Sequence, residues 1–191
     1  MNSNYATQLI NINVDKDCYL EFIPDQIIPY KNSRYYQKVL LNVDPKASLI
    51  YSEIIVPGRV AMGELFSYDM CYLRTIGSDT KHEIKFIDNS VLDPKNQKMN
   101  TFGIFGNHTV VGSVYILTPK KFVNALNQKI NTMLKNNAEI YGGSSILPND
   151  HGLLIRLLCN SSEIAKTEIY NIVRIARKEI LGVSFTEIRK T

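Results

Sequence analysis

The stretch Leu49-Ile50-Tyr51-Ser52-Glu53-Ile54-Ile55-Val56 decides how the chain is read. At a strand's period of two, Leu49, Tyr51, Glu53 and Ile55 share one face, while Ile50, Ser52, Ile54 and Val56 share the other. Both faces are mostly apolar, so this strand is expected to be covered on both sides. Glu53 then sits in an apolar setting, where an unpaired carboxylate is costly, and it needs a partner, a proton or water. Two roles stay open for it: a paired structural carboxylate, or a polar group lining an internal channel or interface.

Upstream of this strand the pattern is simpler. Ile10, Ile12 and Val14 alternate with Asn11 and Asn13, and Val39, Leu41 and Val43 do the same around Lys38 and Asn42, as half-buried strands do. Turn chemistry separates such segments at Asp15-Lys16-Asp17, Pro24-Asp25, Lys31-Asn32-Ser33, Asp44-Pro45, Gly77-Ser78-Asp79 and Asp93-Pro94. No α-helix of consequence fits before Pro119. Asp88 closes another apolar segment, Ile84 to Ile87, and beside Asn89 and Ser90 it reads locally as a turn residue.

Downstream, two helices are expected. Thr118-Pro119 supplies a cap and a proline for the first helical position, after which Phe122, Leu126, Ile130 and Met133 or Leu134 recur until Asn136-Asn137. The second helix starts from a cap at Asn160 or Ser161, with Glu163 completing a capping box if Asn160 is the cap. It runs through Ile164, Ile169, Ile172, Val173, Ala176 and Ile180 to Gly182. Between the helices Leu153 to Leu158 is a strand, and Gly142-Gly143-Ser144-Ser145 reads as a loop. The fold class is mainly β (α+β), with two amphipathic helices in the C-terminal half and a single domain over residues 1–191.

Composition excludes several functions. The 191 residues are 45% hydrophobic and 21% charged, a globular balance, and the net charge of +4 is spread too evenly for a nucleic-acid footprint. Apolar runs are far shorter than the roughly 18 residues of a membrane helix. The amino terminus lacks the pattern of a signal peptide, and three scattered cysteines, Cys18, Cys71 and Cys159, fit a reducing compartment, so a cytoplasmic protein is expected. The cysteines are expected to be small buried hydrophobes. The histidines, His82, His108 and His151, stand in no metal-binding pattern, and neither a nucleophile elbow nor a phosphate loop is present.

The most unusual local sequence is Pro57-Gly58-Arg59-Val60-Ala61-Met62-Gly63-Glu64, where two glycines bracket an arginine directly after the doubly apolar strand. Arg59 emerges from a tight turn with Glu64 or Glu53 as natural carboxylate partners. The turn is either a salt-bridged structural element or a docking element, since arginine is favoured at interface hot spots.

Taken with Tyr19-Leu20-Glu21-Phe22-Ile23-Pro24-Asp25-Gln26 and the segment Leu49 to Glu53, this motif resembles the urease accessory proteins called UreD or UreH, in order and in spacing. Val111-Gly112-Ser113 and Gly152-Leu153-Leu154-Ile155-Arg156 extend the resemblance over nearly the whole chain. The resemblance implies a scaffold, not an enzyme, that works with UreF and the GTPase UreG to deliver nickel to the urease apoprotein. It implies a β-helix-like stack of strands with two helices, and an internal water-filled tunnel through which nickel passes without being tightly bound. By position Glu53 and Asp88 match acidic residues of that tunnel. The family's earlier strands, with a Gly-Gly-rich segment and a Pro-Gly-x-x-Lys-hydrophobic-Tyr motif, have no counterpart here. The resemblance therefore implies either a truncated or split form, whose separate partner chain supplies those strands, or a divergent short form. Two other functions stay open: a β-rich interaction module unconnected to urease, and an enzyme using Asp88 and Glu53 as an acid/base pair.

Overall fold

The computed structural model describes residues 5–184. Among them the elements run β1 (Ala6–Val14), β2 (Tyr19–Phe22), β3 (Arg34–Val43), β4 (Ser48–Ile55), β5 (Met70–Ser78), β6 (Ile84–Leu92), β7 (Val110–Leu117), α1 (Lys120–Lys135), β8 (Tyr141–Ile146), β9 (Gly152–Cys159) and α2 (Ser162–Leu181). From β1 to β5 the chain winds back and forth between two sheets. Strands β1, β3 and β5 lie side by side and parallel in the first sheet, and β2 and β4 pair in parallel in the second. Beyond β5 the connections turn antiparallel: β6 returns along β5, and β7, β9 and β8 complete the second sheet in the order β2-β4-β7-β9-β8.

Two cores result. Between the sheets, Val39, Leu41 and Val43 of β3 meet Leu49 and Tyr51 of β4, with Phe86, Tyr115 and Leu117. On the other face of the second sheet, Ile50 and Ile54 of β4, Val114 and Ile116 of β7 and Ile155 of β9 pack against both helices. Every residue of β4 is buried as a consequence, so the strand with two apolar faces is covered on both. The helices present Val123, Leu126, Ile130 and Leu134 from α1, and Ala165, Ile169, Ile172, Val173 and Ala176 from α2, at the spacing of one helical stripe.

Several boundaries differ from the sequence reading. Thr118 does not cap α1: its hydroxyl is engaged 2.8 Å from that of Ser48, and Pro119 occupies the cap position. Ser161 caps α2, its Oγ accepting from the Glu163 N–H at 3.2 Å, so the capping box from Asn160 does not form. Gly182 ends the helix in the left-handed conformation. Gly142 to Ser145 are not a loop but lie in edge strand β8, held by antiparallel pairing with β9. Gly77 and Ser78 belong to β5, at an irregularity in its register with β6. Asp88 stands inside β6, opposite Thr75 of β5, and is not a turn residue: the ladder overrides the local turn preference of Asn89 and Ser90. Cys71 and Cys159 are buried, but Cys18 is exposed.

Candidate functional site

Between the sheets the apolar packing gives way to a polar cluster around Glu53. Its backbone position follows from register: Glu53 on β4 lies opposite Ser113 on β7, which lies opposite Arg156 on β9. Side chains in one row across a sheet share a face, and this row faces the first sheet. From that sheet Gln37 of β3 and Asp88 of β6 reach across.

Glu53 is 3% exposed. Gln37 donates to its Oε2 at 2.8 Å and the Tyr51 hydroxyl donates to the same oxygen at 3.3 Å. The Tyr35 hydroxyl lies 2.9 Å from the Gln37 side-chain oxygen and also meets Gln8. Arg156 donates to Ser113 Oγ at 2.8 Å and forms an ion pair with Asp88, which also accepts from the Tyr115 hydroxyl at 2.6 Å.

Burial raises the Glu53 pKa above the ordinary carboxylate range, and the negative charge of Asp88 pushes it the same way. The positive charge of Arg156 and the bonds from Gln37 and Tyr51 oppose the rise. Burial holds the Tyr35 phenol up at about 12 and raises Tyr51 and Tyr115 further, so all three stay protonated donors. The Cys71 thiol is likewise pushed up to about 12, chiefly by burial and then by the Glu53 charge, which leaves no thiolate beside the carboxylate at neutral pH.

Two clefts flank this cluster. One, of about 580 Å³, opens on the β1–β2 side and is lined by Gln8, Tyr35, Gln37, Tyr51 and Glu53. The other, of about 840 Å³, opens on the β6–β8 side, where Arg156, Ser90 and His108 are among its lining residues. The carboxylate thus meets one cleft and the guanidinium the other. Chemically the cluster offers oxygen ligands and a buried negative charge to a cation, with water-sized space on either side.

Glu53 and Asp88 are brought into this one cluster, with Arg156 paired to Asp88 and its positive charge also acting on Glu53. Arg59 is not part of it. Its Nε donates to Glu64 Oε2 at 2.9 Å, so Glu64 rather than Glu53 is its partner, and its guanidinium stacks 4.2 Å above the Tyr30 ring. Glu64 also accepts from the Lys31 backbone N–H at 3.1 Å. Gly58 has φ +136°, and a Cβ there would stand 2.7 Å from the Glu64 carbonyl oxygen. Gly63, at φ +73°, closes the short 3-10 turn Val60–Met62. Tyr30 also lines the first cleft, so the turn is fastened to that cleft's rim.

The residues that sequence reasoning did not single out as part of the site are Arg156, Gln37, Ser113, Tyr51 and Tyr115. Arg156 had a signal: it is the one charged side chain in the otherwise apolar strand β9, Gly152–Cys159. The three histidines do not gather, and among the described residues no group of three or more His, Cys, Asp or Glu side chains is placed to hold a metal ion.

The family model described as UreD urease accessory protein matches residues 1–190. The chain belongs to the UreD family. A urease accessory protein UreD from Cenarchaeum symbiosum is 35% identical over 190 residues, covering 100% of this chain and 67% of the relative. UreD from Yersinia pseudotuberculosis is 34% identical over 189 residues, 98% of this chain and 59% of its own length. UreD 2 from Brucella suis is 35% identical over 189 residues, 98% of this chain and 63% of its own length. The chain therefore spans 59% to 67% of these curated relatives. The matched residues include both faces of the cluster and the Arg59 turn of this UreD-family chain.

Proposed function

We propose that this chain is a urease-maturation scaffold that passes nickel through the inter-sheet cluster to the urease apoprotein, in company with UreF-like and UreG-like proteins. The observation that carries the reading is Glu53: a carboxylate 3% exposed, raised in pKa by its burial, and standing at the inner end of a cleft. A purely structural site would be served more cheaply by an apolar side chain of similar size. A hydrated divalent cation entering the first cleft meets Glu53, then the potential of Asp88, with few enough protein oxygens to be released again. Arg156 keeps the resting cluster near charge balance.

The Arg59 turn serves this reading as a docking element. The Arg59–Glu64 pair and the two glycines hold it rigid while Val60, Met62 and Leu65 stand exposed on it. Further strands would continue the sheets along the edges that β1 and β2 form among the described residues.

The test is urease activation in cells expressing the apoprotein with this chain, its UreF-like and UreG-like partners and any chain supplying further strands. Glu53→Gln is expected to bind those partners as the original does but to lower nickel content and urease activity severalfold. Full activation by Glu53→Gln and by Glu53→Ala would refute the passage.

A further inference from the structure

The outer face of the first sheet is not covered by any element among the described residues, because both helices lie on the second sheet. On this face the register assembles three rows. Tyr36 of β3 lies opposite Tyr72 of β5, Lys38 opposite Arg74, and Leu40 opposite Ile76. The tyrosine rings stack, with centroids 5.1 Å apart. Leu9 extends the middle row from β1, and Val91 and Ile87 extend the outer rows from β6. These three are 72%, 44% and 46% exposed.

Two like charges directly opposite on neighbouring strands repel each other and destabilise the pair. Elsewhere on the first sheet basic side chains are neutralised: Arg34 and Lys95 share Asp69, and Lys85 lies between Asp79 and Glu83. Lys38 and Arg74 make no ion pair among the described residues, and no Asp or Glu occupies an outward position of β1, β3, β5 or β6 near them. Arg74 Nε is moreover sheltered from solvent without a hydrogen-bond acceptor, a cost that a partner's oxygen would remove.

We infer that this face is a docking surface for a protein that sets one or two carboxylates among apolar or aromatic side chains. The carboxylates would sit over Lys38 and Arg74, with Arg74 offering its planar fork, and the apolar surround would cover the Tyr36–Tyr72 stack on one side and Leu40 and Ile76 on the other. Isolated phosphates fit less well, because the two cations are walled by apolar side chains and are not part of a basic stripe. The inference rests on the urease-maturation reading for the identity of the partner set, but it is independent of the passage through Glu53.

The experiment is co-expression with the urease apoprotein and the UreF-like and UreG-like proteins, followed by nuclease treatment, zero-length carbodiimide coupling and peptide mass spectrometry. Coupling joins an amine to a carboxyl group as an amide with loss of water. Lys38 is expected to be linked to an Asp or Glu of one of those proteins, and Arg74→Glu to lower recovery of that complex at least tenfold. Because Arg74→Glu turns a repulsive pair into an attractive one, its Tm should not fall, which separates docking loss from misfolding. An unlinked Lys38 together with full recovery of the Arg74→Glu complex overturns the inference while leaving the scaffold reading intact. Linkage of Lys38 to a second copy of this chain, or a complex that nuclease removes, also overturns it. Absence of any complex with the unaltered chain defeats the scaffold reading itself.

Discussion

Replacing Glu53 by glutamine tests the energetics of the cluster most directly. The amide has the shape of the carboxylic acid, and its oxygen, placed where Oε2 stands, can keep both the 2.8 Å bond from Gln37 and the 3.3 Å bond from the Tyr51 hydroxyl. Going from a charge-assisted bond to a neutral one loses about 1 kcal/mol. Removing a buried carboxylate relieves a penalty of several kcal/mol, of which the field of Arg156 already offsets a part. The net expectation is a stabilisation of about 1–3 kcal/mol above neutral pH, or a Tm higher by roughly 3–8 °C for a chain of this size. The pH dependence has a definite sign. Because burial raises the folded pKa of Glu53, its protonated form contributes stability that is complete below the ordinary carboxylate range and is lost as pH rises through the folded value. The gap between the two proteins should therefore close toward pH 4.5 and widen toward pH 8. Thermal melts followed by circular dichroism at both values, at constant ionic strength, measure it. A glutamine variant less stable than the original at pH 8, and equal to it at pH 4.5, would show that Arg156 and its neighbours more than solvate the carboxylate, and the reasoning would fail.

Two further outcomes follow from the same geometry. Arg156→Met leaves Asp88 without its cation while Tyr115 still donates to it; the loss should be about 1–3 kcal/mol near neutral pH, and Asp88→Asn in the same chain should recover at least half of it in a double-mutant cycle read by urea denaturation. Gly58→Ala combines a left-handed φ of +136° with a Cβ placed 2.7 Å from a carbonyl oxygen and should lower stability by about 2–4 kcal/mol, whereas Gly63→Ala, with nothing within 4 Å of its Cβ, should cost only about 1 kcal/mol; equal losses at the two glycines would contradict the close approach at Gly58.

What could be read from residues alone depended on whether the cause was local. The two apolar faces of Leu49 to Val56 stated their own burial, and the stripes of α1 and α2 stated theirs, because periodicity is a property of the segment. The parallel pairing of β1, β3 and β5 could not be read, since a strand alternates with period two whichever way its neighbour runs. Asp88 was misplaced for a related reason: Asn89 and Ser90 are turn formers, and only the ladder with Cys71 to Ser78 carries the strand through them. In β8 the glycine pair and two serines hid an edge strand, and Gly142 is there because a Cβ would stand 2.5 Å from the Arg156 carbonyl oxygen. Glu53 was visible as a carboxylate in an apolar strand. Its partner Gln37 was not, because a hydrogen bond from the other sheet leaves no mark on local sequence; Tyr51, two residues away on the same face of the same strand, was legible as a neighbour but not as a donor.

The winding of the first strands between two sheets also orders events in time. Gln37 meets Glu53 across 16 residues of chain, whereas Arg156 meets Asp88 across 68. Closing the longer loop costs more entropy, and a ribosome releases β4 well before β9. A nascent chain that has set β3 against β4 therefore brings Gln37 to Glu53 before the guanidinium of Arg156 is in place, and protonation of the carboxylate is favoured more strongly then than in the finished fold. Arrival of the last strand then brings the positive charge of Arg156 that favours the ionised form of Glu53, so that completion of the fold itself adjusts the charge held between the sheets.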